Sequence, residues 1–257
     1  MSLQQKFYRS LRSGKMFVGT WMQIPHIVVA ELLSQSGFDF ILLDGEHAPV
    51  PPDELYKLLP ATDRFQIPVL YRVRSNSSDL IKAALDAGVA ALIVPMVNSP
   101  QEAAYAVASA KYPPVGKRGI GPWRASNYYL NESQYVATAG ETAIVVQIET
   151  GTALDAVEEI AATPGIDALY IGPADLSMSL GLPLGQLSDG LFSACAKVAA
   201  AAKRNGIAAG IDVATLDYIP TYRKLGFDLL TYGLDTGYLM TGGKNFADDI
   251  RRVARDI

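Results

Sequence analysis

Residues 38–49 read FDFILLDGEHAP. An apolar run from Phe40 to Leu43 stops abruptly on Asp44, Gly45, Glu46 and His47. A strand with one face in water alternates apolar and polar residues. A strand covered on both faces does not, and such continuous runs mark a parallel sheet packed between helices. Seven further runs read the same way: MFVGTWM (16–22), PVLYRV (68–73), ALIVPMV (91–97), AIVVQIE (143–149), ALYIGP (168–173), IAAGID (207–212) and DLLTYG (228–233).

Helix-like segments fill the intervals, among them IVVAELLSQSG, SSDLIKAALDAG, PQEAAYAVASA and ALDAVEEIAATPG. Ser77-Ser78-Asp79 and Gly88 bracket the second, and Pro164-Gly165 closes the fourth, as capping requires. Eight strands with crossover helices fit a closed (β/α)8 barrel better than an open sheet. No linker or low-complexity tract divides residues 1–257, so a single domain is expected. The exception is YPPVGKRGIGPWRASNYYLNES (112–133), a patternless connection of the kind that serves as a functional loop or an interface arm. Its glycines match neither a phosphate loop nor a dinucleotide turn.

Composition narrows the function classes. The chain is 49% hydrophobic and 19% charged, ordinary for a soluble globular protein. A net charge of −4 argues against a nucleic-acid partner. No apolar run approaches the ~18–20 residues that span a bilayer, and MSLQQKFYRSLRSGK lacks the apolar core of a signal peptide. A cytoplasmic protein without a membrane partner is expected. The one cysteine, Cys195, lies in SACAKVAAAAK, where core packing is its expected role.

In such a barrel the C-terminal strand ends carry the chemistry. Here they carry Trp21, Asp44 to His47, Arg72, Glu149, Asp175, Asp212 and Asp235. Glu149 and Asp175 end successive strands, and two carboxylates in one cleft repel unless a proton or a cation separates them. Without a Cys/His cluster, oxygen ligands point to Mg2+ or Mn2+. After Gly172-Pro173 a helix is expected to begin, and the free N–H groups of Ala174 and Asp175 would favour an anion. A metal beside such a turn describes a site for a short 2-oxo acid. Arg72 at a strand tip needs an anionic partner, either a neighbouring aspartate or a developing enolate oxygen. Of the two histidines, His26 reads as a helix cap and His47 as the candidate base.

The motifs LLDGEHAP, LIKAALDAGVAALIVPMV, YPPVGKRGIG with RAS, VQIET and IGPADLSMSLG resemble the HpcH/HpaI aldolase family from Gly19 to Asp235. That resemblance implies a metal-dependent barrel cleaving 4-hydroxy-2-oxo acids into pyruvate and an aldehyde, reversibly. It implies His47 as base, Asp86 as the residue raising that base's basicity, and Arg72 as the enolate stabiliser. Asp44 is a further acidic partner of His47. Gln147 and the Ala174 backbone would bind substrate, with Trp21 and Gly172 beside them. Glu149 and Asp175 would hold Mg2+ or Mn2+, with Co2+ a further candidate. A homohexamer with an exchanged C-terminal helix is implied as well. Periodicity alone puts Asp86 in the last turn of a helix, so its role rests on the resemblance. Glu46 receives no role. Two alternatives stand beside this reading: a citrate-lyase-like enzyme acting on an acyl-CoA thioester, and a non-catalytic 2-oxo-acid binder.

Overall fold

The structure, a computed structural model, describes residues 1–11 and 13–255. Its strands are β1 (Phe17–Met22), β2 (Phe40–Asp44), β3 (Val69–Arg72), β4 (Ala91–Val94), β5 (Ala143–Ile148), β6 (Ala168–Ile171), β7 (Ala208–Asp212) and β8 (Leu229–Leu234). They form one closed parallel barrel in sequence order, with β8 returning to β1. All eight apolar runs supply a strand. The fold is a single-domain (β/α)8 barrel.

The helices that pack around it are α1 (Leu3–Ser10), α2 (Ile27–Ser34), α3 (Pro52–Asp63), α4 (Ser78–Ala87), α5 (Pro100–Ala110) and α6 (Glu132–Thr138), then α7 (Gly151–Asp155), α8 (Val157–Ala161), α9 (Pro173–Ser179), α10 (Asp189–Arg204), α11 (Ile219–Leu225) and α12 (Asp235–Arg255). The caps follow chemistry visible in the chain. His26 is the N-cap of α2, its Nδ1 accepting the Val28 N–H at 3.2 Å. Gly88 closes α4 in the left-handed conformation, which a side chain would strain. Cys195 lies fully buried on α10.

Two apolar layers explain the continuous runs. Alternate residues of each strand, such as Ile41 and Leu43 of β2, face the helices in one cluster. The others, such as Phe40 and Leu42, join Leu70, Ile93, Val145 and Leu229 inside the barrel. Each fully buried Leu or Ile contributes about 1.5–3 kcal/mol, so both faces stabilise the same strand. The N-terminal end of the barrel is plugged by α1, whose Phe7 meets Phe17 and Phe40 edge-on at 5.9 and 6.1 Å. The period of two then continues upward. Past the last apolar inward residue, β2, β3, β5, β7 and β8 place Asp44, Arg72, Gln147, Asp212 and Thr231 in a polar layer at the C-terminal rim. No helix among the described residues is long and apolar enough to cross a membrane.

Candidate active site

The inward series 40, 42, 44 on β2 and 70, 72 on β3 bring Asp44 and Arg72 level, and the register pairs them directly. Trp21, Gln147, Tyr170, Asp212 and Thr231 enter the same layer from their own strands. All of these but Thr231 wall a cavity of about 220 Å3, to which every strand tip except that of β4 contributes, β8 through Leu234. A cleft of about 400 Å3 lies farther round the same rim, between the loops after β3 and β4, and one of about 490 Å3 lies at the opposite rim. The smaller cavity is the one where carboxylates and an arginine converge.

Asp44 is fully buried and accepts four hydrogen bonds, with a further ion-pair contact to Arg72. Arg72 grips both its oxygens, Nε to Oδ1 at 3.0 Å and Nη2 to Oδ2 at 2.9 Å. Gln23 Nε2 donates to Oδ2 at 3.0 Å, and the backbone N–H groups of Glu46 and His47 donate to Oδ1 at 3.0 and 3.2 Å. Burial alone would push this carboxyl up. The Arg72 guanidinium and the other donors outweigh it and hold the acid below its usual range. Arg72 is fixed on two further sides, by Glu46 Oε2 at 3.3 Å and by the face of Trp21, 4.4 Å from its guanidinium carbon. The turn that allows this needs Gly45, because a Cβ there would lie 2.3 Å from the Tyr71 hydroxyl.

Asp44 meets His47 through the backbone, not the ring. The half-exposed imidazole instead has Glu46 as its nearest carboxylate, Nε2 to Oε2 at 3.7 Å. Glu46, which the sequence leaves without a role, is thus the acid beside the candidate base. Burial pushes its carboxyl up, and the charges of Arg72 and His47 oppose that shift.

Across the cavity, Glu149 Oε1 accepts the Met96 N–H at 2.6 Å and Oε2 accepts Gln147 Nε2 at 2.5 Å. Burial, reinforced by the negative charges of Glu46 and Asp175, pushes Glu149 up to about 7. The strand tip of β6 closes against this pair only because residue 172 is glycine. A Cβ there would fall 2.6 Å from Gln147 Nε2 and 2.8 Å from Glu149 Oε2. The Gln147 Oε1 atom is buried without a partner among the described residues. Mutually repelling carboxylates beside an unsatisfied carbonyl oxygen suit a divalent cation with oxygen ligands, and Glu149 with Asp175 could hold one. No three His, Cys, Asp or Glu side chains among the described residues form a ready cage, so water and substrate would complete the shell.

Eight of the ten residues singled out from the sequence line this cavity: Trp21, Asp44, His47, Arg72, Gln147, Gly172, Ala174 and Asp175. Glu149 adjoins it through Gln147. Asp86 does not. It lies in the last turn of α4, which runs antiparallel to the strands and ends at the opposite rim. Its Oδ1 accepts Arg118 Nη2 at 2.6 Å, and its carbonyl accepts the Ala125 N–H, so it anchors the long 112–133 connection. Gln23 and Asp212 also line the cavity without a role assigned from sequence. Asp212 ends a strand, a visible signal. Gln23 lies just past the end of β1, and nothing in its sequence context marks it.

With the geometry in place, the chain can be set beside known proteins. A family model described as HpcH/HpaI aldolase/citrate lyase matches residues 18–241. A 4-hydroxy-2-oxovalerate aldolase of Novosphingobium aromaticivorans is 36% identical over 248 residues, 96% of this chain and 93% of that protein. A 2-keto-3-deoxy-L-rhamnonate aldolase of Escherichia coli K12 is 38% identical over 183 residues, 70% of this chain and 68% of that one. A crystal structure of an HpcH/HpaI aldolase/citrate lyase family protein from Burkholderia cenocepacia J2315 superposes with a TM-score of 0.90 at 32% identity, covering 96% of this chain and 99% of the other.

Proposed function

Since the chain belongs to the HpcH/HpaI aldolase/citrate lyase family and is a carbon–carbon lyase of the aldolase kind, we propose that it cleaves a 4-hydroxy-2-oxo acid reversibly. The products are pyruvate, or a close 2-oxo acid such as hydroxypyruvate, and an aldehyde. The observation that carries this reading is the convergence of the Glu149–Asp175 carboxylates with Arg72 and His47 around one small cavity.

A divalent ion, Mg2+ or Mn2+ with Co2+ as a further candidate, bound by Glu149 and Asp175 would supply Lewis-acid polarisation of the 2-oxo group. The start of α9 presents the Ala174 and Asp175 N–H groups to the substrate carboxylate. Gln147 and Gly172 orient the oxo acid, and Trp21 walls the pocket. His47 takes the proton of the 4-hydroxyl, the C3–C4 bond breaks, and the pair of electrons becomes the enolate of pyruvate. Arg72, held rigid by Asp44, Glu46 and Trp21, faces the enolate oxygen and stabilises its charge. Protonation of that enolate releases pyruvate.

Asp86 can act on His47 only from a second copy, since each chain holds the two at opposite rims. The reading therefore includes an oligomer, hexameric by resemblance. The exposed apolar face of α12, with Leu239, Met240, Phe246, Ile250 and Val253, supports an exchanged C-terminal helix. Among the described residues no lysine lines the cavity; Lys82 is on α4 and Lys117 in the long connection. The acyl-CoA alternative needs free cations for phosphates. Arg118 is bound to Asp86, Arg124 to Asp63 and the Ala87 carbonyl, and Lys117 sits over the Tyr105 ring.

Chelation with EDTA should abolish pyruvate release from a 4-hydroxy-2-oxo acid, and Mn2+ or Mg2+ should restore it. Activity that survives chelation yet is trapped by borohydride with pyruvate would overturn the reading in favour of a Schiff-base enzyme. Pyruvate binding without exchange of its methyl protons in D2O would instead leave a binding protein.

A further inference from the structure

The rim of the cavity divides into two arcs. The tips of β2, β3, β5 and β6 hold the groups assigned above to the oxo acid and to proton transfer. The tips of β7, β8 and β1 offer Asp212, Leu234 and Trp21 to the same space. On this reading the oxo acid and the 4-hydroxyl lie against the first arc, which leaves the substituent on the reacting carbon to face the second.

Asp212 is the carboxylate of that second arc with an oxygen to spare. Its Oδ1 accepts the Trp21 Nε1–H at 2.8 Å and the Thr231 hydroxyl at 2.6 Å. The Thr231 hydroxyl is in turn bonded to the fully buried Tyr170 hydroxyl. Two donors on one oxygen fix the carboxylate's rotation and turn Oδ2 away from them. No described residue bonds to Oδ2, and it is not sealed off from the cavities. Of the other rim aspartates, Asp175 is the one assigned above to the metal. Asp44 is saturated, and Asp235 spends both oxygens on the N–H groups of Gln23, Ile24 and Thr236.

Asp212 also borders a second cavity of about 120 Å3, which shares Pro173, Ala174 and Asp212 with the first and carries Ser177, Gln186 and Tyr218. Asp212 thus stands beside a small, partly polar chamber adjoining the first cavity.

We propose that Asp212 is a specificity-determining residue whose Oδ2 hydrogen-bonds a hydroxyl carried by the aldehyde, so that the carbonyl partner is a short, uncharged, hydroxylated aldehyde. This rests on the aldolase reading. An alkyl aldehyde of the same size strands the acceptor away from water, and a site built to bond a hydroxyl rejects the analogue that lacks it. An anionic aldehyde meets like charge.

The test compares three aldehydes in aldol addition to pyruvate by the full-length protein with Mn2+. Glycolaldehyde and propanal are isosteric, hydroxyl against methyl, and glyoxylate carries the charge. The ratio of kcat/KM values is read within each protein, so a general loss of activity cancels. The unaltered protein is expected to prefer glycolaldehyde to propanal by about tenfold or more, and glyoxylate least, as one hydrogen bond to a charged group implies. Asp212→Leu should reduce the first preference by about tenfold. Asp212→Asn keeps an acceptor for Trp21 and Thr231 and should raise acceptance of glyoxylate relative to glycolaldehyde; it decides the matter if the leucine variant does not fold. Equal use of all three aldehydes by the unaltered protein, or ratios unmoved by both substitutions, overturns the proposal while leaving the aldolase reading intact. Exchange of pyruvate methyl protons in D2O tests that reading separately, and its absence in the unaltered protein overturns both.

Discussion

Two aspartate–arginine pairs are buried at opposite ends of this barrel, and they behave in opposite ways. Asp44 and Arg72 meet at the C-terminal rim at 2.9 Å, Asp86 and Arg118 at the N-terminal rim at 2.6 Å. The Asp44 carboxyl is held below the usual range; that of Asp86 is pushed above it, burial outweighing the Arg118 contact. The partner is the same, so the surroundings decide. Asp44 has Gln23 and two backbone N–H groups besides its arginine, whereas Arg118 is the one hydrogen-bond donor to the Asp86 side chain among the described residues. Among the described residues Arg118 Nε and Nη1 find no hydrogen-bond partner, and the guanidinium carbon lies 4.7 and 5.8 Å from the Tyr112 and Tyr135 rings. The upper pair is a finished socket that points a cation into the cavity. The lower pair is a clamp on a loop.

The largest expected effect comes from opening the upper socket. Arg72→Ala strands a buried carboxylate and should lower stability by about 3–5 kcal/mol in urea denaturation. It should also slow pyruvate proton exchange by about 10²–10³-fold through loss of enolate stabilisation. A loss of stability near zero would erase the contrast. Next is the proposed reach of Asp86 into a neighbouring copy. Asp86→Asn and His47→Ala should each be poorly active alone, and mixing the two after dissociation and reassembly should recover part of the activity. No recovery would confine Asp86 to its clamp.

A third carboxylate sharpens the comparison because it has no arginine of its own. Glu149 is raised from 4.5 to about 7, so between those values the folded state holds a proton that the unfolded chain has released. Stability of the chelated protein should therefore be fullest below about 4.5 and decline as pH rises through about 7. Melting temperatures across that range should show the slope, Glu149→Gln should flatten it, and added Mn2+ should offset it. The smallest effect is expected from replacing the whole lower pair. The combined Asp86→Leu, Arg118→Met change should alter stability by no more than about 1 kcal/mol, since buried pairs are often neutral to apolar replacement. The matching change at Asp44 and Arg72 strands three other donors at about 1–3 kcal/mol each and should be far worse.

The same contrast shows what was legible in the chain. Asp44, Arg72, Glu149 and Asp175 stand at or just beyond the ends of apolar runs, where the barrel rule puts chemistry, and the register confirms that Asp44 and Arg72 are level. Asp86 gave no such signal. Its periodicity places it in the last turn of α4 and so at the far rim; only the resemblance attaches it to His47. Glu46 was passed over because adjacency in sequence does not reveal which of Asp44 and Glu46 faces the imidazole. The turn at Gly45 settles that by giving Asp44 to Arg72 and to the backbone, and Glu46 to the ring.

By itself, then, the sequence determined the strand count, the parallel sheet and the level of the site, because burial on both faces leaves a continuous apolar run that needs no partner to be read. Tertiary structure alone decided which groups share a cavity and which oxygen stays free. The pairing of Trp21 with Asp212 spans 191 positions of chain. It forms because the closed barrel brings β1, β8 and β7 side by side and the two-residue period points their last inward side chains at one another. Local pattern sets where a side chain points; closure sets what it meets.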